Sequence, residues 1–349
     1  MSSERLIYMP LGGAGEIGMN AYVYGYGAPD KERLILVDLG VTFPDMDGSP
    51  GVDLILPDIT WLKDRADRLD AIFITHAHED HVGAVAHFYR DLGAPVYARA
   101  FTANIARRKM AEHGHPESAV RTAAPWPATI TAGPFTVGFV PISHSIPESS
   151  GLVIDSPGGR IVHTGDFKID HDPVVGEPFD RDLWASLAEP GVKALVCDST
   201  NVFSHHEGRS ESTVGKPITE LVERVFELWE MNIPEDTYIT YVPMEKKKEK
   251  KRGFNQAELI AEELGKILGK KVVPLLRKVR ETRSQTELNE EERLINVKNA
   301  FSAISKVLPD NVLLVDDIWT TGATMKECSK VLKKAGVKNI FGFTLARTI

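Results

Sequence analysis

The spacing of hydrophobic and polar positions changes period several times along the chain, and the changes outline its elements. In the opening LIYMPLGGAGEIGMNAYVYGY, Gly13, Gly15 and Gly18 separate two apolar segments. The second segment, residues 20–26, alternates and is rich in Tyr and Val, so it predicts a strand, and the glycines predict a tight turn between two strands. GxGxxG spacing with Asp38 twenty residues after the last glycine imitates a dinucleotide fingerprint. That fingerprint must open a helix, and a strand follows here instead. Residues 34–37 (LILV) form a short buried strand ending at Asp38, and residues 69–74 (LDAIFI) form another. Helical spacing follows over 82–92, then a short strand over 95–98. A second helix spans 101–113, with Arg107, Arg108 and Lys109 on a solvated face. Turn-rich β segments begin near Ala128 and include strands at 135–140 and 160–163.

Further on, residues 216–236 read as an amphipathic helix with Ile218, Leu221, Val222, Val225, Phe226 and Trp229 on its apolar face, stopped by Pro234. From Thr237 the order is strand (TYITYV), basic loop, helix over 255–268, strand (KVVPLL), long polar loop, strand (NVLLVDD), helix, strand (NIFGFTLA). Strands alternating with helices predict a parallel sheet.

At 349 residues and 42% hydrophobic, the chain can hold two domains with separate cores. Its charge divides the same way. Residues 1–216 carry 18 Lys and Arg against 29 Asp and Glu, whereas residues 217–349 carry 23 against 20. All 11 histidines lie at or before His206, and Arg predominates over Lys only in the first part. Apolar runs are strand-sized, so no membrane partner is expected. Two cysteines and an N-terminus without signal-peptide character lead us to expect a reducing, cytoplasmic home.

The densest chemistry is THAHEDH, residues 75–81, directly after a buried strand. Four ligand-type side chains, His76, His78, Asp80 and His81, occupy six positions there, and structure alone gives no reason to desolvate them. His76 and His78 alternate onto one side for one cation, while Asp80 and His81 turn toward a second. Imidazole with carboxylate suits zinc or a similar borderline cation. His144 and Asp166, each at a strand end, are the further ligands such a site needs. His163 reads as a packed strand histidine and His171 as a loop residue. In the second part, VLLVDDIWTTGAT ends a buried strand in Asp316 and Asp317, and Thr320, Thr321, Gly322, Ala323 and Thr324 then open a helix. Amides and hydroxyls at that turn make a phosphate cradle, and the two acids can hold ribose hydroxyls or a magnesium-bound sugar.

GGAGEIGMN, DLGVTFPD, THAHEDHVGA, HTGDFKID and CDSTN with GRSESTVG are closely similar to ribonuclease J, of the β-CASP metallo-β-lactamases, over about residues 5–220. The resemblance implies a zinc-dependent nuclease cutting RNA. His76, His78 and His144 would hold one zinc and Asp80 and His81 the other, with Asp166 bridging; Asp80 and Asp166 would be catalytic. Asp38 would support the histidine loop, and Asp198 matches the acidic position that opens the β-CASP part. That part and a further zinc-binding histidine are missing, so the second metal is short of a ligand; His205 or His206 are the remaining candidates.

VLLVDDIWTTGAT resembles the phosphoribosyl-diphosphate motif of type I phosphoribosyltransferases. VPMEKKKEKKRGFNQAEL with Arg280, Thr282, Gln285, Leu288, Arg293, Asn296 and Phe301 narrows this to the ComF family, associated with DNA uptake. Magnesium with phosphoribosyl diphosphate would be its ligand. Lys246 and Arg252 would belong to the pyrophosphate loop, with Arg280 and Gln285 as further loop candidates; a solvated charge run or a nucleic-acid patch is the competing reading of residues 246–252.

The expected fold is α/β: a truncated metallo-β-lactamase αββα sandwich over 1–216, a junction helix over 217–236, and a phosphoribosyltransferase-like parallel α/β domain over 237–349. Three functions stay open: a zinc phosphodiesterase, a phosphoribosyl transfer with the metal domain inactive, or an accidental fusion of ligand-binding modules. An oligomer is compatible with any of them.

Overall fold

The computed structural model describes residues 4–44, 51–205, 208–213, 220, 224, 233–245, 249, 254–280, 282, 295–305 and 308–347. Lys246, Arg252, Gln285, Leu288, Arg293, His206 and most of the expected helix over 216–236 lie outside them. Contacts divide the chain into two compact units, Met1–Gly215 and Lys216–Ile349.

In the first unit, β1 (Arg5–Gly12), β2 (Ala21–Gly27), β3 (Arg33–Val37), β4 (Leu69–Ile74), β5 (Val96–Ala98) and β6 (Val120–Thr122) form one sheet in sequence order. The first three are antiparallel and the rest parallel. Helices α1 (Thr60–Lys63), α2 (Glu79–Val82), α3 (Val85–Leu92) and α4 (Ala100–Glu112) accompany it. A second sheet, in order β11-β10-β9-β8-β7, comprises β7 (Thr129–Ala132), β8 (Phe135–Pro141), β9 (Ser150–Ser156), β10 (Gly159–His163) and β11 (Ala194–Val196), with α5 (Arg181–Ala188) before β11.

Successive residues of a strand face opposite ways, and here both faces are buried. Ile35, Val37, Ala71 and Phe73 pack with Phe135, Val137, Phe139 and Leu152 between the sheets. Leu34, Leu36, Ile72 and Ile74 pack on the other side with Val82, Val85, Ala103 and Met110. Leu187 of α5 joins Val140 and Val153 on the outer face of the second sheet. This is the αββα sandwich. β11 departs from the pattern: its run is apolar, yet Leu195 is 62% exposed.

The helix expected over 82–92 is α3, which begins at Val85, after a break from the single turn of α2. The backbone of Leu39 takes the groups that would continue the ladder: its N–H donates to His81 O at 2.8 Å, and its carbonyl accepts from Ala84 N at 2.9 Å. The glycine turn forms between β1 and β2, as its residues predicted.

In the second unit, β12 (Tyr238–Tyr241), β15 (Asn311–Trp319) and β16 (Asn339–Arg347) form the parallel sheet. α6 (Gln256–Leu268) supplies Ala261 and Leu264 to one face, and α7 (Ala323–Lys334) supplies Met325, Cys328 and Leu332 to the other. KVVPLL is not the expected strand. Val272 alone bridges Ile239, Pro274 has no N–H to give, and pairing resumes as β13 (Leu276–Lys278) against β14 (Phe301–Ala303) in a separate antiparallel ribbon. β15 also runs on past its two acids to Trp319. Among the described residues no helix is long and apolar enough to cross a membrane.

Candidate metal centre

β4 delivers THAHEDH to the end of the first sheet, where an extended segment carries His76 and His78 and the single turn of α2 carries Asp80 and His81. The loop between β8 and β9 brings His144, and the stretch after β10 brings Asp166. Two donor groups result. His76 Nε2 lies 3.0 Å from His78 Nδ1, which lies 3.1 Å from His144 Nε2. His76, His81 and Asp166 form the second group, with His81 Nε2 3.3 Å from Asp166 Oδ1. Asp80 sits beside that group, its Oδ2 3.5 Å from His81 Nε2. Tetrahedral zinc with bonds of about 2.0–2.1 Å to imidazole sets ligand atoms about 3.3 Å apart, so the spacing and chemistry of the three histidines fit such a cation.

The supports are buried. Asp38 has no exposed surface and adopts φ +59°. Its oxygens accept from Thr75 N at 2.7 Å and Thr75 Oγ1 at 2.9 Å, and Oδ2 is 2.8 Å from His81 Nδ1. That contact makes Nδ1 the donor to Asp38 and aims Nε2 toward Asp166 and Asp80. Gly40 is required here because a Cβ would stand 1.6 Å from the carbonyl of Asp80.

Electrostatics separates the histidines. Burial, then the neighbouring imidazoles, pushes His76 well below its ordinary range, so its ring is neutral. Burial also disfavours charge on His81, but Asp38 and Asp166 outweigh it and lift the group to about 10. Without a cation, a proton supplies the positive charge that these carboxylates demand. Burial lowers His144, partly offset by Asp166. Burial would raise Asp166, but His81, His144 and His78 hold it below the usual carboxylate range.

Beside the second group opens a cleft of about 470 Å³, lined by Asp80, His81, Asp166, Asp198, Gly13 and Thr200 among others. Asp198 Oδ1 accepts from the Thr200 amide and hydroxyl at 2.8 and 2.7 Å. His163 packs in its strand with Tyr24 Oη 2.8 Å from Nδ1, and His171 lies in a loop; His205 is exposed. Neither His163, His171 nor His205 belongs to a donor group among the described residues. Two residues escaped the sequence reading. Asn20 Nδ2 is 3.0 Å from His81 Nε2 and donates to Asp80 Oδ2 at 3.3 Å, and Thr75 braces Asp38. Their only signal was position: the last residue of GGAGEIGMN and the first of THAHEDH.

In the second unit, Asp316 is partly buried and Asp317 follows it. Burial and the Asp317 charge push Asp316 up to about 7. Asp317 N–H donates to Asp316 Oδ1 at 3.1 Å, and Ile318 N–H to Asp317 Oδ1 at 2.8 Å. Gly322, at φ +71°, caps α7, and Ala323 N–H reaches Thr321 Oγ1 at 3.4 Å. Thr320 and Thr324 flank this turn. Arg280 donates to the carbonyls of Asn296 and Lys298.

Comparison with known proteins gives each unit relatives. Residues 14–199 match the family model described as the metallo-beta-lactamase superfamily, and residues 250–347 match the phosphoribosyl transferase domain. Ribonuclease J of Sinorhizobium meliloti is 45% identical over 219 residues, covering 63% of this chain and 39% of that protein. Ribonuclease J 1 of Streptococcus pyogenes is 38% identical over 215 residues, covering 62% and 37%. The chain thus spans well under half the length of these relatives. A crystal structure of a protein of unknown function from Enterococcus faecalis V583 aligns over 99% of this chain and 88% of its own, at 16% identity and a TM-score of 0.42.

Proposed function

The chain belongs, through residues 14–199, to the metallo-beta-lactamase superfamily, and from that premise we propose that its first unit is a metal-dependent hydrolase of RNA phosphodiester bonds. The observation that carries this reading is the pair of donor groups joined at His76. Zinc is the cation we assign to them, two ions in all, the second with fewer protein ligands. Bound there, the ions would supply a water acidic enough to attack phosphorus near neutral pH and would neutralise phosphate oxygens. In this reading His76, His78 and His144 would hold one ion, and His81, Asp80 and Asp166 would hold the other. Asp38 and Thr75 fix the His81 tautomer. Asp80, on the cleft wall, would accept a proton from the attacking water, and Asp166 would orient that water. The cleft admits the RNA backbone.

The test uses the full chain: metal per chain by elemental analysis, with chelator-sensitive cleavage of a 5′-phosphorylated RNA. We expect about two zincs per chain, with metal and cleavage both lost in His76→Ala. Full loading without cleavage would sink the RNA assignment.

For the second unit we assign a phosphoribosyl-diphosphate site using magnesium, with Asp316 and Asp317 toward the ribose and metal and Thr320 to Thr324 around the phosphate. The match over residues 250–347 supports it. A ComF-like role in DNA uptake, with the metal unit inactive, is the alternative. Thermal stabilisation by phosphoribosyl diphosphate with magnesium, lost in Asp316→Asn/Asp317→Asn, would support this assignment; no shift at millimolar ligand would end it. Both assignments suit a cytoplasmic protein.

A further inference from the structure

The loop that carries His144 is held in an unusual way. Its base closes where Ile142 N–H donates to Ser149 O at 3.1 Å, and one flank is tied by Lys168 N–H to Ser143 O at 2.8 Å. The other flank depends on Glu148, a non-glycine residue at φ +57°. Its Oε2 accepts from Phe101 N–H at 2.5 Å, an amide in the first turn of α4 that the helix itself leaves unpaired. Its Oε1 lies 3.5 Å from Nη2 of Arg99, the residue that precedes the helix, whose side chain is 8% exposed. Arg99 Nη1, Thr102 Oγ1 and Ser149 Oγ around this clamp are buried without hydrogen-bond partners among the described residues. A left-handed glutamate and a buried, half-satisfied guanidinium both cost stability, and such costs gather where a site needs a fixed geometry.

We propose that Glu148, clamped by Arg99 and the α4 N-terminus, is a positioning residue that holds His144 against His76 and His78 and so sets the affinity of the three-histidine group for a divalent cation. This rests on the metal reading of those histidines. Glu148 lies four residues from His144 and belongs to neither donor group, so its influence would pass through the loop backbone.

Zinc affinity of the full chain, measured by competition with a chromophoric chelator, separates the possibilities. Supporting-shell changes weaken metal binding about 10- to 100-fold, and that loss is expected for Glu148→Ala at the site that His78→Ala abolishes. Glu148→Gln, which can still accept from Phe101, should stay within about threefold of the parent. Arg99→Gln loosens the clamp but leaves Glu148 on the helix; it should show a smaller loss of the same kind and keeps the test decisive if Glu148→Ala does not fold. A lowered melting temperature with parental zinc affinity would overturn the proposal, because Glu148 would then serve only α4. If parent and His78→Ala bind zinc alike, the metal reading itself falls, and the proposal with it.

Discussion

At Asp38 a carboxylate without exposed surface accepts from Thr75 and pairs with His81 while its backbone sits at φ +59°. Removing one member of a buried pair leaves the other charge uncompensated and costs about 3–5 kcal/mol. Asp38→Ala should therefore lower the unfolding midpoint sharply in denaturant titration. Asp38→Asn, similar in shape, should mainly cost divalent-cation affinity, by about 10- to 100-fold in equilibrium dialysis. His163 makes a different test. Burial, its largest influence, depresses the folded group to about 4 from an ordinary value near 6.5. Above pH 6.5 the imidazole is neutral whether folded or not, so its full contribution is present there. As pH falls from 6.5 toward 4 the unfolded chain takes the proton first, and up to about 3 kcal/mol of stability drains away. Chemical denaturation at pH 7 and pH 5 should show this loss, and His163→Gln should flatten it by about one proton's worth of slope.

At the level of elements, caps and turns set the sensitive points. Asn255 precedes α6 and its side chain accepts from Ala257 N, so Asn255→Ala should cost about 1 kcal/mol in equilibrium unfolding. Gly322 has φ +71°, and a Cβ there would meet the Trp319 ring at 2.4 Å, so Gly322→Ala should destabilise by more than the cap variant in the same experiment. The sequence made strands such as LILV and LDAIFI legible because residues buried on both faces leave an uninterrupted apolar run. It also pointed to His76, His78 and His81 of the two donor groups, because ligand-type side chains are packed so densely in THAHEDH. The break between α2 and α3 could not be read locally. Val82 to Leu92 keeps helical spacing, and the distant backbone of Asn20, Leu39 and Val41 takes the carbonyls of the first helix. KVVPLL misled for a related reason: its apolar run continues through Pro274, and pairing partners, not composition, decide where β13 begins. Asn20 and Thr75 were hidden because a polar side chain at a strand end has many ordinary uses.

For the molecule as a whole, two units with separate cores should unfold in two transitions. Calorimetry of the full chain is expected to show zinc raising one midpoint and magnesium phosphoribosyl diphosphate raising the other, each by about 2.7 kcal/mol of added stability when ligand is a hundredfold over its dissociation constant. Both ligands moving a single transition would mean that the units do not melt separately. One further behaviour follows from β11, whose Leu195 faces solvent on an outermost strand of its sheet. Such a margin is sticky toward other chains, though a strand of three residues offers little length to grip. Concentrated stocks should therefore turn turbid on standing, and Leu195→Lys should raise the concentration at which light scattering first climbs.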